Sequence, residues 1–326
     1  MCARIRSPLL SIRRLSTTGF VEGLGIVSGD RTDVVLAAIV LYEQSLEEVW
    51  RTFRPLVHAL HLAQQSGHLA GAGVAIGDCS HEPVLGDEAA RDLERYAAAK
   101  GVSFGYRFFD ANIGHSAGCN ELAVGATADA LLFVNPDTYC APTAIRYLVD
   151  AFDDPSAAAA DARQIPAEHP KDFFPVTGEQ NWASGFFLFV RRSAFEAVGG
   201  FDTALFTYGN DVDLSWRLRL RGHRVVHAPR AVVFHDKRLN ERAEVVPTRT
   251  ELYQGLLARF LLAHKFGRPD VIADLERQLA DTEVPAHRQA LVDYRAMAAA
   301  GALPDRVEDG PHVADFRDGD YGPRRF

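Results

Sequence analysis

Residues Val34 to Leu41 read VVLAAIVL, eight apolar side chains in a row, rich in β-branched residues. A strand with water on one face alternates apolar and polar positions. A continuous run of this length therefore predicts a strand buried on both faces, as in a parallel sheet covered by helices. The chain that follows keeps that pattern. Ser45-Leu-Glu-Glu48 has the spacing of a capping box and opens a helix to about Gln65. VAIGD (74–78) is a second strand, Asp87 caps a helix ending near Gly101, and VSFGYRFF (102–109) is a third strand. A helix from about Ser116, the strand ALLFV (130–134) and a helix with Pro142 in its first turn, ending near Phe152, complete a β-α-β-α-β-α-β-α order. The expected fold class is α/β, with a mostly parallel central sheet flanked by helices.

Beyond it the pattern changes. Asp153 to Gln180 has no clear period and several prolines, and is expected to be a long surface excursion. WASGFFLFVRR (182–192) returns to strand, and Ser193-Ala-Phe-Glu196 is a second capping box for a short helix stopped by Gly199-Gly200. Asn210 is expected to cap a helix from Asp211 to about Arg221, with short strands at 225–227 and 231–235 after it. Three amphipathic helices, 249–266, 270–279 and 286–299, form a C-terminal helical extension before a polar tail expected to wrap loosely. The expected division is an N-terminal basic arm (1–30), an α/β domain (31–246), a helical region (247–302) and the tail (303–326).

In the arm, Arg4, Arg6, Arg13 and Arg14 precede the first acid, Glu22, and the apolar stretches between them are too short for a signal-peptide core. A disordered leader or a misplaced start codon fits best, with a segment that touches anionic lipid as the alternative. Cys2, Cys79, Cys119 and Cys140 have no paired spacing, which points to free thiols in a reducing compartment. A net charge of −8 argues against a nucleic-acid partner. No apolar run approaches the roughly 20 residues a membrane span needs.

Open sheets of this kind bind ligands beyond the carboxyl ends of their strands, so the loops 77–80, 110–120 and 135–138 carry the first interest. Asn135-Pro-Asp137-Thr138 offers a carboxylate and oxygen donors to a hard cation held by a diphosphate, or is simply a strand-ending turn. NIGHSAGCN (112–120) has glycines at 114 and 118 that allow close approach to a ligand, and equally reads as an ordinary strand-to-helix connection. Asp211 and Asp213 begin a helix, where acids stabilise the dipole or where one could take a proton from an attacking hydroxyl. His235, followed by Asp236-Lys237-Arg238, is either a structural histidine or a metal ligand with cations beside it for phosphate.

In this order, these stretches resemble the family 2 glycosyltransferases of the GT-A fold, particularly the rhamnosyltransferase-like bacterial branch. The resemblance covers roughly Val34 to Lys237. It is strongest over WASGFFLFVRRSAFEAVGGFDTALFTYGNDVDLSWRLRLRGHRVVHAPRAVVFH. It implies a nucleotide-diphosphate-sugar donor, a divalent metal (Mn or Mg), inversion at the anomeric carbon, and a saccharide or lipid-linked acceptor in bacterial surface polysaccharide or glycoconjugate synthesis. By resemblance Asp137 is the surviving acid of a DxD-type motif, His235 joins its metal, and Asp211 is the general base. Tyr42 and Asp78 would contact the nucleobase, and Asn112, Gly114 and Asn120 would line the loop beside the nucleotide. Asn135 would stand on the donor side, Ser184 and Gly185 under the donor sugar, and Trp182 and Asp213 with the acceptor.

The chain departs from the pattern at Asn135, where the motif has its first acid, and at Asn210, where Glu-Asp is usual. Tyr42-Glu43 and Asp78-Cys79-Ser80 also differ, in the nucleobase region. Other classes fit less well. A nicotinamide oxidoreductase needs its glycine loop after the first strand, and Gly23-x-Gly25 precedes it. A nucleotidyltransferase would carry a glycine- and arginine-rich loop where this chain has YEQS. A silent sugar-nucleotide sensor of the same fold is the remaining alternative. The expected location is cytoplasmic, with peripheral contact at the inner membrane face. The apolar face of GLLARFLLAHKF (255–266) is expected to dock on the body of the protein or pair with a second subunit.

Overall fold

The computed structural model describes residues 32–169, 171–242 and 244–321. The basic arm with Arg4, Arg6, Arg13 and Arg14, together with Cys2 and Gly23-x-Gly25, lies outside the described residues. The first half alternates as expected through β1 (Val34–Leu41), α1 (Leu46–Gln65), β2 (Gly71–Asp78), α2 (Asp87–Ala98), β3 (Ser103–Phe108), α3 (Gly114–Ala123) and β4 (Ala130–Val134). Next come β5 (Thr138–Cys140), α4 (Ala144–Asp150), β6 (Ala157–Ile165), β7 (Phe187–Arg191), α5 (Arg192–Ala197), α6 (Asn210–Leu220) and β8 (Arg224–His235). Helices α7 (Arg249–Lys265), α8 (Pro269–Gln278) and α9 (Pro285–Ala299) lead to a small hairpin of β9 (Phe316–Arg317) and β10 (Asp320–Tyr321).

One eight-stranded sheet runs β3-β2-β1-β4-β7-β6-β8-β5. It is parallel from β3 to β4, as the uninterrupted apolar run of β1 requires. Beyond β4 it is mixed, with β7 antiparallel to both of its neighbours. The register Leu41 opposite Asp78 and Ile39 opposite Val134 ends β1, β2 and β4 at one edge, so the loops after them share one rim.

Helices α1, α2 and α4 cover one face of the sheet, with Phe53, Leu56 and Leu148 among the buried side chains. On the other face α3, α5 and α6 pack through Cys119, Phe195, Leu214 and Leu218. A third apolar cluster joins α6 (Val212, Trp216) to α7 and α9. Helix α6 is therefore buried on two sides, against the sheet and against the C-terminal helices. No helix among the described residues is long and apolar enough to cross a membrane.

Several local expectations are corrected. Residues 153–180 are not a surface excursion throughout, for β6 lies within them as an internal strand between β7 and β8. Its alanines have weak strand preference, which hid it. Ala158 and Ala159 share a cluster with Leu214 and Leu218, where small side chains let α6 lie close to the sheet. Only Phe187–Arg191 of the expected strand 182–192 is extended. The strands expected at 225–227 and 231–235 are one, with an irregular register around Pro229 where a ladder N–H is missing. Asp87 and Asn210 are first helical residues behind Gly86 and Gly209, not caps. Ser193 makes no capping box, because Arg191 precedes the helix there. The tail is docked as far as Tyr321, with the Phe316 ring 5.3 Å from that of Trp216.

Candidate active site

The turn after β4 leads directly into β5, which pairs with the end of β8 so that Thr138 faces His235. That pairing sets Asp137 beside His235, with Oδ1 to Nε2 at 3.1 Å. The His235 side chain is 2% exposed and its ring is stacked on Phe186 at 5.2 Å; Nε2 faces the Asp137 carboxylate, and Nδ1 has no hydrogen-bond partner. An imidazole nitrogen and a carboxylate set side by side in this way could share a cation. Adjacent ligands about 2.1 Å from an octahedral cation stand about 3 Å apart, close to the separation seen here. Burial alone would raise the Asp137 pKa, but His235 and Lys237 beside it hold the carboxyl below its ordinary range. Among the described residues no cluster of three or more metal-ligating side chains occurs. The pair fits a divalent ion only if phosphate or water oxygens complete the shell.

Residues 182–186 form a turn ahead of β7 whose backbone is held at every step. Lys171 Nζ donates to Trp182 O at 2.9 Å, Ala183 N donates to Ser215 Oγ at 3.0 Å, and Asn135 N donates to Phe186 O at 2.9 Å. Between them, Ser184 N donates to Asp161 Oδ2 and Gly185 N to Asp211 Oδ2, both at 2.7 Å. The turn thus joins the His235 side, through Phe186, to Asp211. Gly185 is needed for proximity: a Cβ there would stand 3.1 Å from Asp211 Cβ and 3.2 Å from its Oδ2. Burial pushes the Asp211 pKa above its ordinary value, against the opposing effects of the Gly185 and Val212 N–H groups and of Lys171. A raised carboxylate at the sheet rim is suited to receiving a proton.

Asp161, which sequence reading missed, is the most heavily used carboxylate in this region. It is 1% exposed and accepts from Lys171 Nζ, Ser184 N, Gln180 Nε2 (2.8 Å) and His227 Nδ1 (2.8 Å). Burial would raise its pKa, but Lys171 and His227 overcome this and hold it far below the usual carboxylate range. The only available signal was a single acid in the run AAAADARQI.

Other expected site residues fall in different places. Asp213, in the first turn of α6, is fully buried, paired with Arg217 at 2.5 Å and Lys265 at 2.6 Å, and ties α6 to α7. Asp78 ends β2 at the same rim. It is fully buried, and its carboxylate accepts from Ser80 N (3.0 Å), Val84 N (2.7 Å) and Tyr106 Oη (2.6 Å), which fixes the loop after the strand. The Asn120 amide is spent on Phe201, accepting from its N at 2.9 Å and donating to its O at 2.8 Å. Tyr42 stays exposed at the rim, its ring 6.1 Å from that of His81. Asn112 is exposed and accepts from Gly114 N at 3.2 Å. Gly114, at φ +81°, lies under Phe206, whose ring would be 2.6 Å from an added Cβ. Asn135 is half-buried in the turn that leads to Asp137, and Ser184 is buried in the held turn. Glu251, at the head of α7, accepts from Arg238 and lies 3.8 Å from Lys237 Nζ. The helical extension thereby orients cations next to Asp137 and His235.

No protein-family model matches the chain. Over 56 residues it is 54% identical to an N-acetylglucosaminyl-diphospho-decaprenol L-rhamnosyltransferase of Mycobacterium tuberculosis, a match covering 17% of this chain and 18% of that protein. Over 66 residues it is 42% identical to rhamnosyltransferase WbbL of Escherichia coli, covering 20% of this chain and 25% of that protein. The matches thus span a quarter or less of these curated relatives. Among solved structures, GalNAc-T7 with UDP, GalNAc and Mn2+ superposes with a TM-score of 0.58 at 13% identity, over 84% of this chain and 59% of that one. At that identity the likeness is one of fold.

Proposed function

We propose that this chain, a GT-A-fold relative of the rhamnosyltransferase-like family 2 glycosyltransferases, transfers a sugar from a nucleotide diphosphate to a hydroxyl acceptor with inversion. The carrying observation is the held turn 182–186, which has the buried His235–Asp137 pair against Phe186 and the raised carboxylate of Asp211 against Gly185. In this reading the diphosphate lies toward Asp137 and His235, with Lys237 and Arg238 nearby, and the sugar rests over Ser184 and Gly185. Asp211 takes the proton of the acceptor hydroxyl as its oxygen bonds to the anomeric carbon. The bond from that carbon to the diphosphate breaks, and its electron pair leaves on the phosphate oxygen. A divalent ion held by Asp137 and His235 would supply charge neutralisation for the leaving diphosphate. From the name of the mycobacterial relative we infer rhamnose as donor sugar and a saccharide on a diphospho-lipid as acceptor. Such an acceptor would draw the protein to the inner face of the membrane.

The test is a melting screen against UDP, dTDP, GDP and CDP, each with and without Mn²⁺. A ligand at a hundred times its dissociation constant adds about 2.7 kcal/mol, a readable shift. Stabilisation by one diphosphate only with metal is the expected result, and chelation should remove it. No stabilisation under any condition would leave the fold without its proposed chemistry. Asp137→Ala is expected to erase the metal-dependent part of the shift. An unchanged manganese dependence in that variant removes Asp137 from the site. Gly185→Ala is expected to lower turnover on the order of tenfold or more, because its methyl group displaces the Asp211 carboxylate. Turnover at the wild-type rate would mean that the turn is not part of the reacting surface.

A further inference from the structure

The closing hairpin returns the chain to the site. Tyr321, on β10, meets Trp182 edge to face, with ring centroids 5.5 Å apart and planes at 83°. Burial and the neighbouring Asp211 carboxylate both push the Tyr321 phenol pKa upward, so tail and base share one environment. The hairpin is anchored there by Arg259, 3.3 Å from Asp320, and by Phe316 against Trp216. Trp182 is 5% exposed and its indole Nε1 has no hydrogen-bond partner. Buried indole N–H groups normally find an acceptor. An unpaired one, in the same turn as Gly185, marks a place for a ligand oxygen. The opposite demand, an apolar contact for the ligand, is met by the Tyr321 ring. Nothing in the sequence between 303 and 326 had pointed to the site.

We propose that Tyr321 and Trp182 together form the acceptor subsite, and that its ligand is a pyranoside with one face of C–H bonds against the rings and an oxygen accepting from Trp182 Nε1. This rests on the transferase reading, in which Asp211 deprotonates the acceptor. Tyr321 is a specificity residue supplied by the C-terminal tail, outside the sheet that carries the donor.

Two measurements on the full chain test it. Tryptophan fluorescence is titrated with methyl N-acetyl-β-glucosaminide, the simplest fragment of the inferred acceptor, and rhamnosyl transfer is measured to an N-acetylglucosaminyl diphospho-prenol. Saturable quenching is expected in the wild type. In Tyr321→Ala both the saccharide dissociation constant and the acceptor KM should rise about tenfold, the equivalent of 1.4 kcal/mol, with donor KM unchanged. Tyr321→Phe, which keeps the ring, should restore most of the loss. A rise in donor KM equal to that in acceptor KM, or a wild-type acceptor KM in Tyr321→Ala, overturns the assignment. So does an absence of saturable quenching in the wild type. Quenching that depends on Tyr321 without any transfer leaves the subsite standing and removes the transferase reading instead. A fall in the melting temperature of Tyr321→Ala that Tyr321→Phe shares, with saccharide affinity kept in both, would make the residue a structural clasp.

Discussion

Asp211→Asn is expected to lower sugar transfer by a factor of about 10² to 10⁴, the usual contribution of a positioned general base, while nucleotide-diphosphate affinity stays near wild type. The separation follows from position: Asp211 reaches the turn through Gly185 N, whereas the place proposed for the diphosphate is beside the Asp137–His235 pair. The pH profile gives the same test a second axis. Burial raises the Asp211 pKa above its ordinary 3.8, and the base works only when deprotonated. In the wild type kcat/KM should therefore fall as pH drops through the raised value, at a pH where an exposed aspartate would still be ionised. Asp211→Asn should lose that acid limb along with the rate. Equal losses of transfer and nucleotide binding would show instead that Asp211 holds the donor site together.

Asp161→Ala should produce the largest loss of stability. It leaves Lys171 and His227 buried without their shared carboxylate, and breaking a buried pair in this way costs about 3–5 kcal/mol. The observable is a lower denaturant midpoint at unchanged slope. A loss below about 1 kcal/mol would mean that water or Glu168 takes over the role. Because the carboxyl is held below its ordinary range in the folded protein, its contribution is complete above the unfolded value, about pH 4, and disappears as pH falls through the folded one. Removing both partners in Asp161→Ala/Lys171→Met should recover part of the loss, as expected for two groups that act as one.

What the sequence disclosed, and what it hid, follows from the kind of signal each residue leaves. Strand β1 is a run of apolar residues and α1 begins with a capping box that is present in the structure, Glu48 N to Ser45 Oγ at 3.3 Å, so both were legible from neighbours alone. Asp137, Asp211 and His235 stand at strand or helix ends, where chemistry-bearing residues draw notice. Asp161 does not, since its partners come from three later segments and its own strand is spelled in alanine. Asp78 and Asp213 show the converse, since both carboxylates are taken up by neighbours that the sequence does not reveal. A carboxylate at the right place in sequence is indistinguishable from a catalytic one until the groups that consume its oxygens are known. Tyr321 was hidden by distance along the chain, since only folding brings it to Trp182.

Helix α6 is buried on both sides, Leu214 and Leu218 against the sheet and Val212 and Trp216 against the C-terminal helices, and it carries Asp211 in its first turn. The two parts of the chain are consequently poor candidates for modular exchange. A chimera joined near residue 246 would hand Asp211 a foreign counter-surface, altering its angle and its proton affinity together, even with every sheet residue kept. If Asp211 is the base proposed above, variation in the extension is coupled to the reaction itself, and a change of acceptor made by recombination would have to arrive with a retuned α6.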